Sequence, residues 1–157
     1  MLRTFSDLGI TGHDYQSLSV ALPSRLAFGA DPAKPLNGWR IAVKDNFHLK
    51  GLRTSLCNKA YYEMYPPAGK TAACIEHLID AGAVIVGKTK LSSMVSTEEP
   101  TQGIDFQTAW NPRADGYQSP AGSSSGSGAA MGSYSWLDIS IGSDSTFYNR
   151  RLGDENC

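Results

Sequence analysis

Two features of this 157-residue chain could do chemistry if the fold brings them together. One is Lys44, which follows the short apolar run Gly38-Trp39-Arg40-Ile41-Ala42-Val43. The other is Ser119-Pro120-Ala121-Gly122-Ser123-Ser124-Ser125-Gly126-Ser127-Gly128, a stretch dense in hydroxyls and glycines. Such a stretch lets backbone N–H groups turn toward a ligand while short side chains offer oxygen at close range. A lysine partly desolvated at a strand end has its neutral form favoured and can exchange protons with a hydroxyl near neutral pH. One serine in a tight Gly/Ser turn then relays the proton, and a second attacks a carbonyl whose oxyanion is held by backbone donors. The chemistry is acyl transfer by a Ser-Ser-Lys triad. Taken singly, each feature has a plainer reading: a solvated surface lysine and a flexible linker.

The elements that must position these groups follow from pattern. Residues 1 to 35 are weakly periodic and end in Asp31-Pro32-Ala33-Lys34-Pro35, which disfavours both helix and central strand; they read as a peripheral leader. The run ending at Val43 reads as a buried strand that delivers Lys44. Thr71 reads as the N-cap of a helix over 72–81, with Ala72, Ile75, Leu78 and Ile79 on one face and Gly82 ending it in a left-handed conformation. Ala83-Val84-Ile85-Val86, closed by Gly87, reads as a second buried strand, so the unit is βαβ-like with a parallel pair. The pattern further predicts a short helix over 91–97, a loop over 101–118, a small-residue helix over 128–133 and a strand over 137–141. Residues 146–157 lose all periodicity and read as a frayed tail.

Composition excludes several classes. With 41% hydrophobic and 18% charged residues the chain has material for one globular core, and a net charge of −1 without a basic run argues against nucleic-acid binding. Three cysteines, Cys57, Cys74 and Cys157, lack metal spacing, and His13, His48 and His77 are scattered, so neither a disulfide framework nor a metal site is expected. No signal-peptide order opens the chain, and no apolar run approaches the roughly 20 residues of a membrane span. A soluble cytoplasmic location is the default expectation.

One pattern match is rejected. Gly82-Ala83-Val84-Ile85-Val86-Gly87-Lys88-Thr89 fits the phosphate-loop expression GxxxxGK[ST] letter by letter. That motif needs a strand before it and a flexible loop at its four variable positions. Here a helix precedes it, and Ala-Val-Ile-Val belongs in a sheet, leaving Lys88 as a surface residue. The aromatic residues Trp39, Phe47, Tyr61, Tyr62 and Trp110 could line a pocket, but ordinary core or boundary packing accounts for them.

Four blocks in order carry a resemblance: Ile41-Ala42-Val43-Lys44-Asp45-Asn46, Ala81 to Thr89, Ser119 to Ser127, and Ile141-Gly142-Ser143-Asp144. Over residues 36 to 144 the chain resembles the first part of the amidase signature family. The resemblance implies an α/β fold, an α/β/α sandwich around a mixed, partly parallel sheet. It also implies hydrolysis of carboxylic amides without metal or cofactor, with a small-molecule amide as the substrate of the full-length relatives. Carried over by position, Lys44 looks like the catalytic lysine and Ser123 like the bridging serine, which the family holds on a cis peptide. Ser124 is the alternative relay, Gly122 and Ser125 would shape the loop, and Gly126 would admit close backbone approach.

The chain departs from the family after Asp144. The family's block continues through one residue and two glycines to the nucleophilic serine; here Thr146 and Phe147 replace the glycines and Tyr148 occupies the nucleophile's place. A phenol there has the wrong length to substitute. The domain thus reads as the N-terminal part of an amidase, residues 36–145, followed by an atypical tail, as a truncated gene product would give. Two function classes result: amide hydrolysis as the family's activity, or a non-catalytic remnant that acts as a binding module.

Overall fold

Ile41, Ala42 and Val43 are too apolar for either face of their strand to meet water. The computed structural model, which describes residues 20–96, 99–107 and 110–144, places them at the centre of the molecule. Strand β1 (Arg40–Lys44) is buried from Ile41 to Lys44. It lies between β2 (Val84–Thr89) and β3 (Ile139–Ile141), in the order β2-β1-β3. Both pairings are parallel, which is the arrangement that leaves both faces of a central strand to be covered by helices.

Those covers come from opposite sides. Ile41 and Val43 pack with Ile85, Leu49 and Ala83 beneath helix α2 (Ala73–Asp80), whose Ile75 is fully buried. Ala42 turns the other way, to a cluster with Val86 and Leu137 on which Ala130 of helix α3 (Ser125–Ser133) packs. The result is an α/β/α sandwich. Burying a side chain such as Ile41, Val43 or Ile75 stabilises by about 1.5–3 kcal/mol each.

Several local boundaries differ from the sequence reading. Thr71 does not cap α2; its hydroxyl accepts the Lys50 N–H at 3.0 Å, and Ala72 takes the cap position without a side-chain bond. A short helix unannounced by periodicity, α1 (Lys59–Met64), precedes α2 and is capped by the Asn58 carboxamide oxygen, which accepts the Tyr61 N–H at 2.9 Å. The helix predicted from Leu91 onward reduces to a 3-10 turn at Ser93–Val95, while Thr97 lies outside the described residues. The predicted strand over 137–141 is confined to Ile139–Ile141, because the Asp138 carboxylate and backbone are engaged with Arg40.

Strand β2 does not close at Gly87. It continues to Thr89, with Val86 bulged out of register so that Ile41 faces Ile85 and Ala42 faces Gly87. Gly82–Thr89 is therefore a turn and a strand, with Ala83, Ile85 and Val86 buried, and cannot wrap a phosphate. Lys88, expected at the surface, is instead drawn inward: its side chain is 11% exposed and pairs with the fully buried Asp45 carboxylate at 2.7 Å. Of the aromatic residues, Phe47 packs on the core beside Leu49, Arg53 lies over the Tyr62 ring, and Trp39 and Trp110 are exposed.

Gly82 joins α2 to β2 with φ +98°, and a Cβ there would stand 2.8 Å from the Asn37 α-carbon. Gly87 has nothing within 4 Å of the same position. Gly82→Ala is therefore expected to cost at least about 1–3 kcal/mol, whereas Gly87→Ala stays within about 0.5 kcal/mol of the parent. Thermal melts of the two variants check this contrast, and equal melting temperatures would refute it.

Candidate active site

Parallel strands that end together present their last residues on one edge, and here that edge collects polar groups. Lys44 ends β1, Thr89 ends β2, and Ser143 follows β3 after Gly142. Lys44 is wholly buried. An ammonium there needs acceptors, because an unpaired buried charge costs far more than a neutral hydrogen bond returns. It donates to the Ser123 hydroxyl at 2.7 Å and to the Ser143 carbonyl at 2.9 Å.

The serine run that supplies these acceptors is not a linker. Helix α3 starts at Ser125, three residues ahead of the predicted start, so the run is a tight loop closing into a first helical turn. The Gly122–Ser123 peptide bond is cis, and Ala121 before it has φ +59°. Ser92 donates its N–H to the Ser123 carbonyl at 3.1 Å, so the residue is held from both main chain and side chain. Gly122 abuts the Ser92 side chain, which leaves no room for a Cβ.

Each hydroxyl in the run has its own task. Ser123 meets Lys44, whereas Ser124, the alternative relay, bonds the backbone of residue 143 instead: its hydroxyl donates to the Ser143 carbonyl at 3.1 Å and accepts the Ser143 N–H at 3.2 Å. Ser127 shares a hydrogen with Thr89 at 2.9 Å and donates to the Ile141 carbonyl at 3.1 Å. Ser125, the first residue of α3, is fully buried, and its hydroxyl has no partner among the described residues. Thus α3 is stitched to the ends of β2 and β3 by side-chain oxygen.

Ser143, named in the sequence only as part of the fourth block, bonds Lys44 and Asn46. Besides its carbonyl on Lys44, its hydroxyl accepts from the Asn46 carboxamide nitrogen at 2.8 Å. The signal was available, since Ser143 follows a strand that ends beside Lys44, but only the parallel pairing of β1 and β3 makes that placement visible.

Burial drives the Lys44 pKa below its ordinary value of 10.5, and the exposed Asp144 carboxylate partly offsets that by favouring the charged form. As pH rises through this lowered value the amine becomes neutral and gains a lone pair directed at the Ser123 hydroxyl. Among the described residues no group of three His, Cys, Asp or Glu side chains could hold a metal ion. Tyr148, in the place where a nucleophile was sought, lies outside the described residues, as do Thr146 and Phe147.

Gly126 lets α3 sit directly on the chain after β2. A Cβ there would lie 2.5 Å from the Lys90 carbonyl oxygen and 2.6 Å from its nitrogen, while the Gly126 N–H donates to that carbonyl at 3.0 Å. Gly128, two residues on, is open on its outer side. Gly126→Ala is expected to destabilise by about 1–3 kcal/mol through overpacking, and Gly128→Ala to stabilise by about 0.5–1 kcal/mol as an exposed helix glycine replaced. Urea denaturation reads the opposite signs directly; a shared sign would show that the α3 contact is not as described.

Comparison with known proteins points to one family. The Amidase family model matches residues 18–146. The chain is 36% identical over 139 residues to a glutamyl-tRNA(Gln) amidotransferase subunit from Lachnoclostridium phytofermentans, covering 86% of this chain and 27% of that protein. Among solved structures it resembles Kluyveromyces lactis allophanate hydrolase, with TM-score 0.60 and 31% identity over 71% of this chain and 17% of that one. It also resembles the peptide amidase of Stenotrophomonas maltophilia, with TM-score 0.51 and 35% identity over 62% of this chain and 20% of that one. The chain spans about a quarter of the length of the curated relatives it matches.

Proposed function

The chain belongs to the amidase family, and from that premise we propose that it carries the base and relay of an amide-hydrolysing site without the residue that would form the acyl-enzyme. The observation that carries this reading is the buried Lys44 amine 2.7 Å from the Ser123 hydroxyl, in a chain with Tyr148 where the family's serine would stand.

In the complete reaction, neutral Lys44 takes the Ser123 proton and Ser123 takes the proton of a serine that attacks the amide carbonyl. The leaving amine receives that proton back, and water then hydrolyses the acyl-serine. Lys44 and Ser123 are suited to the first transfer by their distance and by the burial that favours the neutral amine. Small-molecule amides are the substrate class this chemistry fits. A tyrosine at position 148 cannot enter the sequence of transfers at the serine's reach, and Thr146 and Phe147 replace the family's paired glycines. The chain as it stands is then a non-catalytic member that retains the base and the relay but not the nucleophile.

A fluorophosphonate probe tests this. Purified 157-residue protein is expected to show no labelling above a heat-denatured control, by mass spectrometry of the intact chain. Stoichiometric labelling that disappears in Lys44→Ala would overturn the reading, because it would reveal a nucleophile served by that lysine.

A further inference from the structure

A second buried lysine lies on the other side of the same strand end, and nothing in the relay uses it. Asp45 follows Lys44 at the turn that ends β1, and its carboxylate meets Lys88 and Ser55 where the Lys44 amine meets Ser123 and Ser143. Its carboxylate is fully buried. One oxygen accepts Lys88 Nζ at 2.7 Å; the other accepts the Ser55 N–H at 2.9 Å and the Ser55 hydroxyl. Lys88 Nζ donates further to the Thr54 hydroxyl at 2.9 Å and to the Arg53 carbonyl at 3.2 Å, and the Thr54 hydroxyl in turn meets His48 Nδ1 at 2.9 Å.

This pair binds three parts of the chain at one point. Lys88 belongs to β2, in register with Val43, and the Asp45 N–H continues the ladder to the Thr89 carbonyl at 3.0 Å. Residues 53–55 form the loop that leads to Cys57, whose sulfur accepts the Leu91 N–H at 3.3 Å. The backbone of Lys44 is therefore gripped through its immediate neighbour on the face opposite to the one its side chain uses. Apolar residues of similar size would fill this space at less desolvation cost, so the pair is not there for stability alone.

We propose that Asp45 and Lys88 are positioning residues for Lys44: their ion pair, anchored on Ser55, fixes the end of β1 so that the Lys44 amine stays buried against Ser123. The proposal rests on Lys44 as the base of the site and deepens that reading. The groups facing Lys44 are the Ser123 hydroxyl from the loop before α3, and the Ser143 carbonyl and Asp144 carboxylate from the segment after β3. From β1 and β2 the paired charges of Asp45 and Lys88 act as a compact, nearly neutral unit.

The test is a titration of the lysine ε-CH2 groups by 1H–13C NMR in the full chain, with Lys44 identified by the signal missing from Lys44→Arg. Lys88→Met leaves Asp45 negative and without its counter-charge on β2, so the Lys44 midpoint is expected to move up, into or beyond the ordinary lysine range. Lys88→Arg restores the charge and the donors, and should keep the midpoint of the parent. Where Lys88→Met does not fold, Asp45→Asn/Lys88→Met, which leaves no charge at that point, is read for the same upward movement as Lys44 gains solvent. A folded variant of either kind with the parent's Lys44 midpoint overturns the proposal. This titration needs no turnover and no nucleophile, so its failure is distinct from labelling by the fluorophosphonate.

Discussion

An ammonium group buried at the end of an apolar strand is the constraint around which the rest of this structure is arranged. Ile41 and Val43 bring the strand into the core because they must, and Lys44 is carried in with them. The cost of desolvating its charge is met by oxygen atoms that converge from two distant segments, a serine hydroxyl before α3 and a backbone carbonyl after β3. Hydroxyls suit this task because they both donate and accept, and because their short side chains leave the backbones in contact. A loop of larger residues could not come as close to the sheet, as the Gly126 contact with Lys90 illustrates.

The same strand end is held from two sides by different means. On the α3 side the bonds are neutral hydroxyls and carbonyls around one lysine, an environment that favours loss of its proton. On the other side a full carboxylate faces Lys88; burial lowers that lysine's pKa too, and the Asp45 charge partly opposes the desolvation. Two lysines on neighbouring strands of the sheet are thus shifted in the same direction by burial, and they differ in what they bond: a hydroxyl and a carbonyl for Lys44, a buried carboxylate for Lys88.

Much of the fold was legible because the apolar runs were short, punctuated and one-sided. Ile41 to Val43 and Ala83 to Val86 could only be buried strands, and Ile75, Leu78 and Ile79 could only face a sheet. Lys44 and Ser123 were legible as candidates through four ordered blocks, not through their local surroundings. What escaped was decided by tertiary contacts. Nothing local says that Thr71 serves Lys50 in place of its own helix, or that Ser125 already lies in a helix. Lys88 followed a strand by every local sign, yet the strand continued past it and its amine turned inward to the buried Asp45 carboxylate just beyond the end of β1. The bond from Lys44 to Ser143 escaped for the same reason: it is accepted by a main-chain carbonyl, which every residue possesses.

Among the described strands the central one is also the earliest in the sequence. Arg40 pairs with Val84, and Ile41 with Ile139, while the two anchors of Lys44 stand 79 and 99 residues further along the chain. A chain emerging from its N-terminus exposes this strand long before anything exists to cover it, and must close loops of that length before the lysine can leave water. Sheet and site are therefore completed in the same event. Until then the lysine stays in water, and it takes up its buried position only when β3 and the carbonyl after it arrive.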